Sequence, residues 1–160
     1  QVFAEQGYHV PVSAIARAAG VGQGVMYRHF PSRIDLAKAV FEENFVALER
    51  LATDTPGPDA FHVLWRRLVD ETIASTAFID LVIDVRATLP ESVGEQRLER
   101  LIVEPLRRAQ AAGLADPAWH ASDVLLLIHM VHGVVIGQER PDETAAAVHR
   151  ALQLVDRRLT

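Results

Sequence analysis

Residues 15–30 read IARAAGVGQGVMYRHF. An alanine-rich helical segment stops at Gly20, and a second short segment carries Gln23, Tyr27, Arg28 and His29 on one side. Val21, Met26 and Phe30 are its expected core side, joined by Ile15 from the first segment, and the small residues Ala16, Ala19 and Gly20 stand where the two helices would cross. Two short helices joined by a tight turn, the second polar on its outer side, form the geometry that lays one helix in the major groove of DNA. The residue types suit that use. Gln23 pairs a donor with an acceptor for a base edge, and Arg28 reaches a guanine or a phosphate. Tyr27 and His29 can donate to phosphate oxygens, as can the backbone N–H groups at the helix starts near Pro11 and Ser32.

The remaining periodicity is helical as well. Strand signals are absent, since there is no Asn-Gly or Asp-Gly hairpin turn and no sustained period-two alternation. Val2 to Gln6 reads as the end of a first helix, with Gly7 behind it, and the chain begins at Gln1 inside that helix, so a preceding segment is expected. Pro31-Ser32 stops the second short helix, and Ser32 is placed to cap a long one whose core side is Ile34, Leu36, Ala37, Val40, Phe41, Phe45, Leu48 and Leu51. Thr53 to Asp59 is a loop rich in proline and glycine. Helices are then expected near Ala60 to Thr76, Phe78 to Thr88, Ser92 to Ala112, Ala118 to Gly137 and Asp142 to Arg158, with Pro105 kinking or breaking the third of these. The expectation is an all-α chain of about nine helices: a helix-turn-helix domain over residues 1–45, its first helix truncated, and a helical domain over residues 46–160.

Charge is divided along the chain. Arg17, Arg28, Arg33 and Lys38 against Glu5 and Asp35 give residues 1–38 a charge of +2, whereas the whole chain carries −5. Contact with phosphate needs local positive charge, not a basic protein. The absence of cysteine excludes disulfides and thiolate metal sites and fits a reducing compartment. No stretch reads as a signal peptide, and the longest apolar run, Val124 to Ile136, is shorter than the roughly 18 residues of a membrane span. A cytoplasmic protein with no membrane contact is expected.

GYHVPVSAIARAAGVGQGVMYRHFPSRIDLAKAV resembles the N-terminal domain of the TetR family of one-component transcriptional regulators. The shared positions are Ile15-Ala16, Ala19-Gly20-Val21, Gly24, Met26-Tyr27-Arg28-His29-Phe30 and Arg33, within residues 1–45. The resemblance implies that Ser13, Gln23, Gly24, Val25, Tyr27, Arg28, His29 and Arg33 face a double-stranded DNA operator. Three features depart from the family pattern: Gly22 replaces the usual Ser or Thr cap, Val25 stands where Thr is common, leaving only apolar contact such as with a thymine methyl, and the loop Gly7 to Pro11 is one residue shorter than in many relatives.

For residues 46–160 the resemblance implies a cavity for a small, mostly apolar effector of unknown identity. Trp65, Thr72, Asp84, Arg86, His129 and His132 are the candidate lining residues, with entry between the helices carrying Trp65, Val85, Leu101 and His129. It also implies a homodimer through the last two helices. Val124 to Ile136 is apolar nearly all round, and Ala145, Val148, Leu152, Val155 and Leu159 recur at helical spacing, so both helices are expected to bury apolar surface against a partner copy. His129 and His132 are spaced to share a metal, but no carboxylate lies in the same turn, so they read as core or dimer-contact histidines and no metal or cofactor is expected. No HExxH, GxSxG or phosphate-cradling glycine loop is present, and the chain reads as no enzyme. The expected function is a transcriptional repressor released from its operator by its effector. The alternative is a helical protein-interaction module that has lost DNA binding.

Overall fold

The computed structural model describes residues 10–74, 93–138 and 140–160. Among the described residues there are seven α-helices, one 3-10 turn and no strand: α1 (Val12–Ala18), α2 (Gln23–His29), α3 (Arg33–Asp54), α4 (Ala60–Ala74), α5 (Val93–Ala111), α6 (Ala121–Ile136), α7 (Pro141–Val155) and the 3-10 turn Arg157–Leu159. The helix ends expected near Val2 to Gln6 and the helix expected at Phe78 to Thr88 lie outside the described residues. The chain divides into two compact units, one holding the residues up to Val46 and the other Ala47–Ile73 with Val93–Thr160.

In the first unit, α1 and α2 are joined by a turn that the sequence dictates atom by atom. Gly20 adopts φ +68°, a left-handed conformation that costs glycine nothing and other residues strain. Its N–H donates to the Arg17 carbonyl at 3.1 Å, and the Val21 N–H donates to the Ala16 carbonyl at 2.9 Å, the paired closure of a Schellman end. Two expectations fail here. Ala19 closes α1 as its C-cap residue and is exposed, and Val21 is 40% exposed instead of buried. The closure commits the Val21 backbone to α1 and leaves its side chain outside; Val10, Val12, Ile15, Ala16, Met26 and Leu36 form the small core, with Ala14 and Phe30 packed on it. Helix α2 ends before Pro31, where Phe30 is extended, as a residue preceding proline prefers.

Ser32 caps α3 as expected. The Asp35 N–H donates to Ser32 Oγ at 3.2 Å, and the Ser32 N–H donates back to Asp35 Oδ2 at 3.1 Å, a reciprocal pairing that satisfies two donors. Leu36, Phe45 and Leu48 are buried along α3. The helix runs to Asp54, so the loop is shorter than expected; Thr53 stays helical, donating its hydroxyl to the Glu49 carbonyl at 2.8 Å.

In the second unit, α4 buries Ala60, Phe61, Leu64, Trp65, Leu68, Val69 and Thr72, a stripe at spacings of three and four. Helix α5 is continuous through Pro105 and is not broken there. Proline removes one backbone bond, but Pro105 is itself buried beside Ile102, Leu106 and Ala109, so packing holds the helix through the lost bond. Gly113, at φ +72°, ends α5 with the same pair of bonds seen at Gly20: Gly113 N–H to Gln110 O and Leu114 N–H to Ala109 O. Gln110 then donates to the carbonyls of Asp116 and Trp119 at 2.9 and 2.8 Å, pinning the proline-containing loop against α5. Helix α6 packs against both α5 and α7.

The single chain divides the apolar residues of α6 and α7 between its own core and its outer face. Val124, Leu127, Ile128, Val131 and Val135 are buried, but Leu126, Met130 and Ile136 are about half exposed, so a single chain covers one face of α6 only. On α7, Val148 and Leu152, together with Leu159 beyond it, point into the protein's own core, whereas Leu154 and Val155 are exposed. A helix apolar on every side has no moment to fix which face turns inward; the neighbouring helices choose it.

Candidate nucleic-acid interface

Helix α2 has one buried residue, Met26, and presents almost everything else. At 100° per residue, Gly24 and Arg28 lie opposite Met26, with Val25 and Tyr27 on either flank. Gln23, Gly24, Arg28 and His29 are exposed, Val25 is 37% exposed and Tyr27 44%. All six expected contact residues are therefore exposed, spread over the part of the helix surface that Met26 does not occupy. Gly22 precedes the helix as its N-cap with no side-chain bond to offer, and its carbonyl takes the N–H groups of Val25 and Met26 at 2.9 and 3.1 Å. The His29 and Phe30 rings lie 6.5 Å apart, tilted by 52°, so the exposed imidazole borders the ring that anchors the end of the helix.

Ser13 and Arg33 are half-buried, so they are less open than the α2 set. Arg17 lies outside the expected contact set, yet it is exposed in the last turn of α1 and meets no carboxylate among the described residues. Its charge was the available sequence signal; only the structure places it at the surface beside the turn. The α2 surface has hydrogen-bond donors, a guanidinium, an apolar flank and a glycine at its centre. Chemically it can pair base edges, contact a phosphate and approach a groove closely.

The expected lining residues of the second unit are differently placed. Trp65 is buried and its Nε1–H donates to the Leu159 carbonyl at 3.0 Å, while the buried Thr72 hydroxyl donates to Leu68 O at 2.7 Å. Both polar groups are thus engaged inside the unit. His132 is buried, whereas His129 is half-exposed with Nε2 3.6 Å from Glu95 Oε1, a carboxylate contributed by α5 and not by the same helix. Asp84, Arg86 and Val85 lie outside the described residues. An open groove of about 490 Å³ is lined by Arg150, Gln153, Leu154, Arg157 and Thr160, and a second of about 110 Å³ by residues that include His62, Trp65, His149 and Leu152. Among the described residues no group of three metal-ligating side chains comes together, and no helix is long and apolar enough to cross a membrane.

Residues 1–40 match the family of bacterial regulatory proteins of the tetR family. No curated protein matches the sequence significantly. Among solved structures, a TetR transcriptional regulator from Streptomyces coelicolor is 29% identical, with a TM-score of 0.66 covering 96% of this chain and 89% of that one. A structure concerning the molecular basis for control of antibiotic production by bacterial hormones is 21% identical, with a TM-score of 0.67 covering 96% of this chain and 88% of the other, a likeness of fold. Residues 1–40, which include α1 and α2, carry the N-terminal pattern of the tetR family of bacterial regulatory proteins, and over nearly its whole length the chain is similar in fold to a TetR transcriptional regulator.

Proposed function

We propose that this regulator binds a double-stranded DNA operator through α2 and represses transcription until a small, mostly apolar effector releases it. The observation that carries the reading is the outward set on α2: Gln23, Gly24, Tyr27, Arg28 and His29 are exposed, while Met26 is the one residue within the helix that is buried. Solvated polar side chains need no partner, but this helix also exposes Val25 and Tyr27, which gain from being covered. Ser13, Arg33 and Arg17 are assigned to the phosphates on either side. Residues 1–45 are the reader and residues 46–160 the sensor and pairing domain. The sensor role draws on Trp65, Thr72, His129 and His132, with Asp84 and Arg86 completing the assigned set.

A homodimer is part of this proposal, because it sets two readers at the separation of successive grooves, roughly 34–36 Å or a multiple. The apolar surface that supports it is Leu126, Met130 and Ile136 of α6 with Leu154 and Val155 of α7, all exposed in the single chain. The cytoplasm, where the operator lies, is the assigned compartment.

Direct measurement tests the reader. Tyr27→Ala and Arg28→Ala are each expected to weaken binding to a selected operator duplex by about 1–3 kcal/mol, as contacts of this kind do, with the thermal unfolding curve unchanged. Parent-like binding by both folded variants would remove α2 from the groove.

A further inference from the structure

Gly24 and Val25 are the residues of α2 for which the protein's own packing gives no reason. Glycine is a poor helix former, yet a Cβ added at Gly24 would meet nothing within 4 Å, so the fold has room for any side chain there. Val25 is β-branched, which suits a helix poorly, and 37% exposed, which suits an apolar side chain poorly. Met26 supplies the core contact of this helix, so Val25 is not needed for it. The backbone of Val25 is fixed in the first turn by its N–H bond to the Gly22 carbonyl at 2.9 Å. Arg28 follows three residues later, one turn along the same face.

We infer that the first turn of α2 reads DNA by apolar contact, with Val25 seated against the C5 methyl of a thymine and Gly24 permitting the close approach that contact needs. The inference rests on the DNA-binding reading above and adds the base class to it. In the major groove adenine, guanine and cytosine present hydrogen-bonding groups to a side chain, and thymine alone adds a methyl. An apolar side chain pressed on a donor or acceptor would leave that group without its water and without a replacement partner, which is unfavourable. A thymine methyl loses nothing by the same contact and gains by burial. Gly24 adds the second half of the argument: with no side chain beside Val25, the backbone of the first turn can come closer to the base edges. Three helical residues rise about 4.5 Å, and stacked bases repeat at about 3.4 Å, so the thymine lies one or two base pairs from the base that Arg28 contacts. Gln23, at the opening of the helix, is left for a base edge read by hydrogen bonds.

Uracil substitution isolates the methyl, since it removes that group and leaves the base pair intact. A duplex is selected by the full chain from a random-centre pool, and fluorescence anisotropy then compares it with copies carrying uracil at each thymine in turn. One thymine per half-site is expected to show about a threefold to fivefold loss of affinity on losing its methyl, the scale of one buried CH₂ group. Val25→Ala is expected to bind thymine and uracil forms of that position equally while unfolding at the parent's temperature or above. Uniform affinity across all uracil copies, or undiminished uracil sensitivity in Val25→Ala, overturns the inference while leaving DNA binding intact. A pool from which no duplex is enriched overturns the DNA-binding reading itself, and this inference with it.

Discussion

The surface of α1 and α2 and the helices of the second compact unit treat their polar side chains in opposite ways. Around α1 and α2, Arg17, Gln23, Tyr27 and Arg28 are exposed and have no partner in the chain among the described residues. In the second unit Arg67 meets Glu71 at 2.8 Å, Arg97 meets Glu49 at 2.7 Å, Arg107 meets Glu104 at 2.8 Å, and Arg158 meets Asp156 at 2.6 Å. Trp65, Thr72 and Gln110 likewise give their donors to carbonyls of their own unit. Exposed ion pairs stabilise little individually, about 0–1 kcal/mol, so their number is no measure of strength. What they show is commitment. Donors already held inside a chain are not available to an outside partner, and those of Arg17, Gln23, Tyr27 and Arg28 on α1 and α2 are available. Among the described residues, the cluster behind α1 and α2 is six buried residues that include Met26 of α2, whereas the second unit buries Phe61, Leu64, Ile102, Val124, Val131 and Val148 almost completely.

The largest expected effect separates the units by stability. Phe61→Ala, at 2% exposure, should cost about 3–5 kcal/mol and unfold the second unit well below the parent's melting temperature. A loss under about 1 kcal/mol in a chemical-denaturation series would mean that the core of that unit lies elsewhere.

Next comes the outward face of α6 and α7. Leu154 is 71% exposed, so Leu154→Glu should leave the folded chain intact yet set an unpaired carboxylate in the apolar seam between copies, costing that association about 1–3 kcal/mol. Sedimentation should show dimer for the parent and a shift toward monomer for the variant. The same change at Leu152 tests something else, because its side chain is buried at 4% exposure within the protomer; Leu152→Glu should unfold it. Reversed behaviour of the two variants would move the seam to the other face of α7.

Gly24→Ala sharpens the contrast by moving stability and binding in opposite directions. The added methyl meets nothing within 4 Å and improves helix propensity, so the fold should gain up to about 1 kcal/mol. Operator affinity should fall, since the same methyl stands between the helix and the groove. A variant improved in both respects would show that no close approach takes place at Gly24.

The smallest effect concerns acid. The Arg158 side-chain hydrogen bond holds the Asp156 carboxyl below its ordinary 3.8, with burial opposing in part. A carboxylate whose folded pKa is depressed stabilises the fold above its unfolded value and loses that contribution as pH falls through the folded one. The loop-end clamp from Arg158 to Asp156 and Asp116 should therefore be intact at neutral pH and weaken as the solution is taken below about pH 4. Asp156→Asn should flatten the acid side of a melting-temperature profile; a profile as steep as the parent's would assign the acid loss to other carboxylates.

Helix ends were legible in the sequence because they are local. Gly20 and Gly113 each supply the one backbone conformation that turns a chain out of a helix, Pro31 forbids continuation, and Ser32 with Asp35 closes the next start, all within five residues. The outward polarity of α2 was legible for the same reason, since Gln23, Tyr27, Arg28 and His29 lie around a single apolar anchor at Met26. What the sequence left undecided was the phase of apolar surface against distant neighbours. Val21 lies outside the small core although its type suits the inside, because the turn that Gly20 makes commits its backbone to Ala16 and directs the side chain away. Pro105 stays helical because surrounding burial outweighs one lost bond. Leu152 faces inward and Leu154 outward because α6 occupies one side of α7 and not the other. Local hydrogen bonds can be satisfied by residues a few positions apart, so they are written in the sequence; the choice of which apolar face is covered depends on elements far along the chain, and only their packing makes it.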